Sequence, residues 1–268
     1  MTSTGVTAPD EAVRTRPPAG DCADGLARET ARAGFTCLRR DRIRHLLPAD
    51  ALEDFRAAWE DLEPDTGIPG GKLFRLRRYG RLRVEVEADG TASFAPLPHA
   101  SFRQDVIHMW RGQDRVFAPI APEVLLHEGM LALVGLDARA AAQLSGTTSW
   151  EVGVHLIRIL AEPGGEGEPT PEGRHRDGHA YVGMHLLRRD RCGGGLSTVH
   201  PEGGEPVRLT LLDPLDSMFV DDARVTHEVS PISPLDGTAV RDMLLVDLNP
   251  AVPAVPAVPA VPAVPAGG

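Results

Sequence analysis

The chain has 268 residues, 42% of them apolar, and a formal net charge of −10. That apolar content supports a sizeable core, and all-β barrels and sandwiches of this length often fold as one unit. The acidic balance argues against a nucleic-acid or anionic-membrane partner, since both require a basic face. Three cysteines, Cys22, Cys37 and Cys192, show no paired spacing, so no disulfide framework is expected and a reducing, cytoplasmic setting fits. No apolar run approaches the roughly 20 residues that span a bilayer. The first twenty residues lack the apolar stretch of a secretory signal.

In chain order, residues 1–21 are expected to be a disordered leader. From Asp24 to Leu62 the spacing of Leu38, Ile43, Leu46, Leu47, Leu52, Phe55 and Trp59 predicts a largely helical stretch. Pro64 to Gly71 breaks it. Leu73 to Phe94 then alternates (Leu82, Val84, Val86) around Asp89-Gly90, which predicts a hairpin. A helix is expected over Pro122 to Leu144, with proline at its start and a stripe including Leu125, Met130, Leu133 and Leu136.

Beyond Trp150 the pattern becomes strand-like. Strands are predicted near 151–161, 180–188, 195–200, 206–212, 216–221, 225–232 and 239–248, separated by turn signals such as Gly193-Gly194-Gly195 and Asp236-Gly237. The expected fold is mainly β with flanking helices, a double-stranded β-helix or jelly roll. One domain should span 22–250, with a helical and hairpin part over 22–150 and the jelly-roll core over 151–250. Residues 251–268 form a tail that begins with five copies of Ala-Val-Pro, a composition that favours an extended polyproline-II-like form.

The chemically dense segment is Arg174-His175-Arg176-Asp177-Gly178-His179. At a strand end residues i and i+2 face the same side, so His175 and Asp177 can aim an imidazole and a carboxylate at one point. His227, in the strand-like Val225-Thr-His-Glu-Val, supplies a second imidazole. Two histidines and a carboxylate on one side of a metal leave positions open opposite, the facial arrangement of non-haem Fe(II) oxygenases. Arg241 places a single guanidinium in an otherwise apolar strand, where burial demands an anion: a ligand carboxylate, or a nearby acid such as Asp221 or Asp222.

Ordered motifs extend this pattern: Glu151-Val-Gly-Val-His-Leu-Ile-Arg158, Pro171 to Gly178, Gly193-Gly-Gly, Asp221 to His227, and Arg241-Asp-Met-Leu-Leu-Val. Together they resemble the bacterial 2-oxoglutarate/Fe(II) dioxygenase family that includes L-isoleucine 4-hydroxylase. Weaker echoes lie at Arg75 to Tyr79 and Leu97 to Gln104. The resemblance implies iron held by His175, Asp177 and His227, a 2-oxoglutarate salt bridge to Arg241, and O2 as co-substrate. It further implies hydroxylation of an aliphatic carbon of a small polar metabolite, a free L-amino acid above others. Because Asp177 fills the position that related halogenases leave to a small residue, hydroxylation is favoured over halogenation. The chain departs from the family pattern at Leu156, where a polar Gln is common, and across Asp105–Arg115; both departures are expected to touch the substrate pocket.

Arg158, Arg176 and His179 are candidate substrate-binding groups. His155 and Arg158 lie on opposite faces of one strand, and Arg158 is taken as the inward one. His185 is expected in the core. The acidic, Gly/Pro-rich segment Glu162–Glu172 is either a solvated connection or a lid. Rival readings are a cupin-like isomerase or lyase using His175, His179 and His227, a non-enzymatic jelly-roll binding protein, and a hydroxylase of a larger natural product.

Overall fold

The computed structural model describes residues 12–18, 22–68 and 71–252. The repeat tail beyond Val252 and the first eleven residues lie outside them. In chain order the first half contains β1 (Val13–Thr15), α1 (Ala23–Ala33), β2 (Phe35–Leu38), α2 (Arg40–Ile43), α3 (Ala49–Arg56) and β3 (Glu63–Pro64). It continues through β4 (Arg75–Val86), β5 (Ala92–Pro96), β6 (Ala118–Pro119), α4 (Pro122–Leu125) and α5 (Glu128–Ser145). The second half is strand: β7 (Ser149–Ala161), β8 (Tyr181–Asp190), β9 (Cys192–Gly194), β10 (Ser197–Pro201) and β11 (Val207–Leu209). It closes with β12 (Ser217–Asp221), β13 (Val225–Val229), β14 (Ile232–Pro234) and β15 (Ala239–Pro250).

The large sheet runs β1-β5-β4-β7-β15-β8-β12-β2, with β3 and β6 added to β4. Facing it are a three-stranded sheet, β11-β10-β13, and the pair β14-β9. This is the expected double-stranded β-helix. Strand parity sorts its faces. Val152, Val154 and Leu156 of β7, with Leu244, Val246 and Leu248 of β15, pack against the helices in one core with Leu26, Phe55, Met130 and Leu133. On the opposite face, Met243 joins Val182, Met184, Val199, Met218 and Val225 between the two sheets. The functional side chains lie on this second, inter-sheet face.

Several expectations shift. Val13–Thr15, assigned to the leader, pairs with Ala92–Phe94 and extends the large sheet. Phe35–Leu38, expected to be helical, is an edge strand on β12. Gly34 ends α1 with φ 81°, a left-handed conformation that glycine adopts without strain, and the chain leaves it extended. The helix expected over 122–144 is two, because His127 turns extended and caps α5, its Nδ1 accepting the Gly129 N–H at 3.0 Å. The short strands β9 and β14 were not anticipated, whereas the hairpin around Asp89-Gly90 is present as β4 and β5. No helix among the described residues is long and apolar enough to cross a membrane.

Candidate metal centre and its cavity

The segment after β7 is tied back onto the inner sheet before it reaches the first candidate ligand. Gly167 exchanges both backbone hydrogen bonds with Ile232, and the Thr170 hydroxyl donates to the Val229 carbonyl at 3.0 Å. The acidic loop is therefore stitched down, and Pro169, Thr170 and Glu172 form part of a cavity wall.

A narrow antiparallel bridge follows. His175 N–H donates to His227 C=O at 3.0 Å, and His227 N–H returns the bond at 2.9 Å. The two rings thereby come to 4.5 Å between centroids. His175 Nδ1 meets the Gly173 carbonyl at 2.8 Å, which makes Nδ1 a donor and turns Nε2 inward, where a metal would take the place of its proton. That Nε2 lies 3.4 Å from Asp177 Oδ1, and His227 Nε2 lies 3.4 Å from Asp177 Oδ2. All three donor atoms fall within 4.8 Å of one another. Two imidazoles and one carboxylate at this spacing could hold a divalent transition metal while leaving the cavity side open.

Asp177 is oriented from behind by Asp222. Its Oδ1 accepts the Asp177 N–H at 3.0 Å; its Oδ2 accepts those of Gly178 at 2.7 Å and His179 at 3.2 Å. The turn also needs Gly178, whose φ of 88° favours glycine. From the front, Gln104 Nε2 approaches Asp177 Oδ1 at 3.4 Å. Burial pushes the His227 pKa down to about 4, so its ring is neutral and ligand-ready at pH 7. Burial also acts to lower His175, but the hydrogen bond and charge of Asp177, with Glu172 nearby, outweigh it and lift the ring to about 9. Burial alone would raise Asp177; the two histidines reverse it and hold the carboxyl below its ordinary range.

Arg241 shares this cavity with the three donors. It is 4% exposed, its Nε is buried without a hydrogen-bond partner, and no carboxylate among the described residues lies within ion-pair distance. Burial and the adjacent Arg189 push its pKa down to about 10. Neither acid considered from sequence pairs with it, since Asp222 serves the Asp177 turn. Met184, Met218, Met243 and Leu245 supply apolar wall beside it. An orphaned guanidinium in an apolar cleft, near a facial set of donors, fits a chelating ligand that ends in a carboxylate.

These features coincide with a family match. The model of the 2OG-Fe dioxygenase family matches residues 56–247. The chain belongs to this family. Its members use Fe(II), 2-oxoglutarate and O2, and the present dioxygenase is an enzyme of that class. Among solved structures, a bsmA homologue from Methylobium petroleophilum PM1 superposes with a TM-score of 0.75 at 28% identity, covering 85% of this chain and 96% of that one. IDO from Bacillus thuringiensis follows at TM-score 0.69 and 19% identity, covering 94% and 99%. The Fe(II)/α-ketoglutarate-dependent dioxygenase TqaL gives 0.66 and 18%, covering 86% and 87%. The last two, at such identity, speak to the fold alone. No curated protein matches the dioxygenase sequence.

The remaining candidates are placed elsewhere. Arg158 points to the helix face, where its Nε donates to Asp242 at 2.7 Å and its Nη2 to Glu60 at 2.8 Å. His155, on the opposite face, is the inward residue of that strand. Leu156 is likewise in the helix-side core and does not touch the cavity, whereas Trp110 and Arg115 from the other divergent stretch do line it. Arg176 is exposed, donating to the Val225 carbonyl at 3.1 Å. His179 turns away from the donor cluster toward Asp247 at 3.3 Å and Asn249 at 2.9 Å, so the cupin-like set of three histidines is not assembled. His185 is buried as expected, between Asp137 and Ser217. Sequence reasoning missed Asp222 and Gln104 in their positioning roles. It also missed the arginines of β4, though the alternation Arg75-x-Arg77 put two cations on one strand face.

Proposed function

We propose that His175, Asp177 and His227 hold Fe(II), that Arg241 pairs with the distal carboxylate of 2-oxoglutarate, and that the enzyme hydroxylates an aliphatic carbon of a free L-amino acid, as the resemblance to the isoleucine 4-hydroxylase group suggests. The observation that carries the reading is a facial donor set sharing one cavity with a buried guanidinium that, among the described residues, has no carboxylate within ion-pair distance. Iron with 2-oxoglutarate supplies oxidative decarboxylation to succinate and CO2, coupled to oxygen insertion at a C–H bond. The chain's own groups orient the donors through Asp222 and Gly173, match the cosubstrate's charge through Arg241, and keep water out with the methionine-lined wall. Glu172 faces the cavity with Oε2 buried and unpartnered, a carboxylate suited to an ammonium group. Filling of the third ligand position by Asp177 favours hydroxylation over halogenation.

The test incubates purified enzyme with Fe(II), ascorbate, 2-oxoglutarate and each proteinogenic and common non-proteinogenic amino acid, following succinate and the gain of one oxygen by mass spectrometry. Oxygen gain in an aliphatic amino acid is the expected result. Turnover of a larger natural product with no amino acid oxidised would sink the substrate assignment, and absence of Fe(II)-dependent succinate in Asp177→Ala alongside its presence in wild type would support the iron site.

A further inference from the structure

A second concentration of charge lines the same cavity, centred on β4, two strands from Arg241 across β7. Arg75 and Arg77 project inward from β4, and Arg115 comes from the loop before β6; all three are buried. Among the described residues one carboxylate, Asp65, lies within ion-pair distance of any of them. It accepts Arg75 Nε at 2.8 Å and Arg115 Nη2 at 2.9 Å. Arg77 has no carboxylate within ion-pair distance among the described residues; its Nε and Nη2 instead share His155 Nδ1, at 3.1 and 2.8 Å. That ring nitrogen accepts, so His155 is neutral, in keeping with a pKa that burial pushes down to about 3.

Three guanidinium groups around one carboxylate exceed what a structural clamp needs. A clamp between Asp65 and β4 would be complete with Arg75 alone. The surplus N–H groups are unsatisfied: Arg75 Nη2 and Arg115 Nε are buried without partners. The planes are also held rigidly. Arg115 stacks on Trp110 at 3.9 Å and Arg77 on Phe117 at 4.3 Å. Stacking fixes guanidinium faces while leaving their donor edges free for a planar anion. Burial together with the neighbouring arginines Arg115 and Arg75 pushes the Arg77 pKa down to about 9, the mark of a cation short of a counter-charge. Gln104 joins this cluster to the metal side, accepting from Arg115 Nη1 at 3.4 Å while its amide approaches Asp177.

We propose that Arg75, Arg77 and Arg115 form the substrate's carboxylate anchor, so that the enzyme selects a small organic acid whose carbon chain runs from the arginines toward the His175–Asp177–His227 face. This rests on the iron-site reading above, and it assigns substrate recognition to β4 and the loop ending at Arg115. Arg241 is left to the cosubstrate.

The experiment measures binding rather than turnover. Protein loaded with Mn(II) and N-oxalylglycine, which occupy the metal and Arg241 side, is titrated by ligand-detected NMR with amino acids, 2-hydroxy acids and N-acyl amino acids, each beside its carboxamide. Acids should bind better than their amides by about tenfold or more, the loss expected when a charge-assisted contact is removed. Arg77→Met should abolish that preference by weakening the acids alone, and Arg77→Lys, which keeps charge but loses the fork, should restore part of it. Arg115→Met should act in the same direction, with circular dichroism reporting whether it remains folded. Equal binding of acids and amides, no carboxylate binding at all, or an undiminished preference in folded Arg77→Met overturns the proposal. Failure to retain Mn(II) overturns the iron site instead, because the Arg77-dependent preference is then read on the metal-free protein.

Discussion

A guanidinium buried without a counter-ion costs several kcal/mol unless a ligand supplies the charge. Arg241 is in that position, with its Nε unpartnered and Arg189 beside it. Arg241→Leu should therefore raise the 2-oxoglutarate concentration needed for half-maximal succinate formation by tens- to thousands-fold, or ~2–5 kcal/mol, while leaving or slightly raising thermal stability. An unchanged requirement would return Arg241 to a structural role. Asp222 acts one step removed from the proposed metal site, accepting three successive backbone N–H groups of the Asp177 turn. Asp222→Ala frees that turn and should weaken metal retention by about 10–100-fold, measured by competition with a chelator. Arg176→Ala should leave it unchanged. The convergence of His175, Asp177 and His227 on one cavity shared with Arg241 was legible because side chains at i and i+2 of a strand end share a face and a lone arginine in an apolar strand demands a counter-charge. Arg158 was misplaced because parity gives opposite faces to His155 and Arg158 without saying which face is inside. Glu60, on the short 3-10 turn Ala57–Asp61, decides it by reaching Arg158 from the helix side.

At the level of elements, the sheet is held to its covering helix by a polar seam. His185 of β8 bonds Asp137 of α5 at 2.9 Å and Ser217 of β12 at 2.8 Å, with Asp137 fully buried. This close approach requires a missing side chain. A Cβ at Gly183 would sit 1.8 Å from Asp137 Oδ2, and the carboxylate cannot yield without breaking its bond to His185. Gly183→Ala should lower stability by ~1–3 kcal/mol, as overpacking of a core does, with a measurable fall in the urea midpoint. A midpoint equal to wild type would mean that α5 shifts freely. The long strands β7, β8 and β15 were legible from their apolar runs and the turn residues between them, because one face packs against the helices and the other lies between the two sheets. The edge strand β2 was not. Its Phe-Thr-Cys-Leu sits in a window whose apolar positions also satisfy a helical period, and only pairing with β12 selects the extended form. The split between α4 and α5 was hidden for a similar reason, since a histidine serving as a cap carries no strong sequence signal.

Across the whole molecule, buried titratable groups should make stability fall steeply in acid. Asp247 lies at the centre of a relay from Arg77 through His155 to His179 and Asn249. Burial alone would raise its pKa, but the charges of His179 and His155 and their hydrogen bonds overturn that and hold the carboxyl far below its ordinary value. A depressed carboxyl contributes stability that is present above its unfolded value, near pH 4, and is lost as pH falls through the folded one. His155 works in the same direction. Burial, then the charge of Arg77, lowers it to about 3, so between pH 6.5 and 3 the unfolded chain takes up a proton that the native ring refuses. Each such proton removes ~1.4 kcal/mol per pH unit across its window. His179 opposes them at the other end. Burial acts to lower it, but the charge and hydrogen bond of Asp247 lift it to about 9, so its contribution is complete below pH 6.5 and fades as pH rises toward 9. Thermal midpoints should therefore be highest near pH 6–7, decline gently toward 9 and fall sharply below 5. Asp247→Asn leaves His155 and His179 without their shared counter-charge, so it should be destabilised at pH 7 and show a shallower decline below pH 4. An acid limb of wild-type steepness in Asp247→Asn would show that the pH dependence resides in other carboxylates, with Asp65 and Asp216 the next to replace.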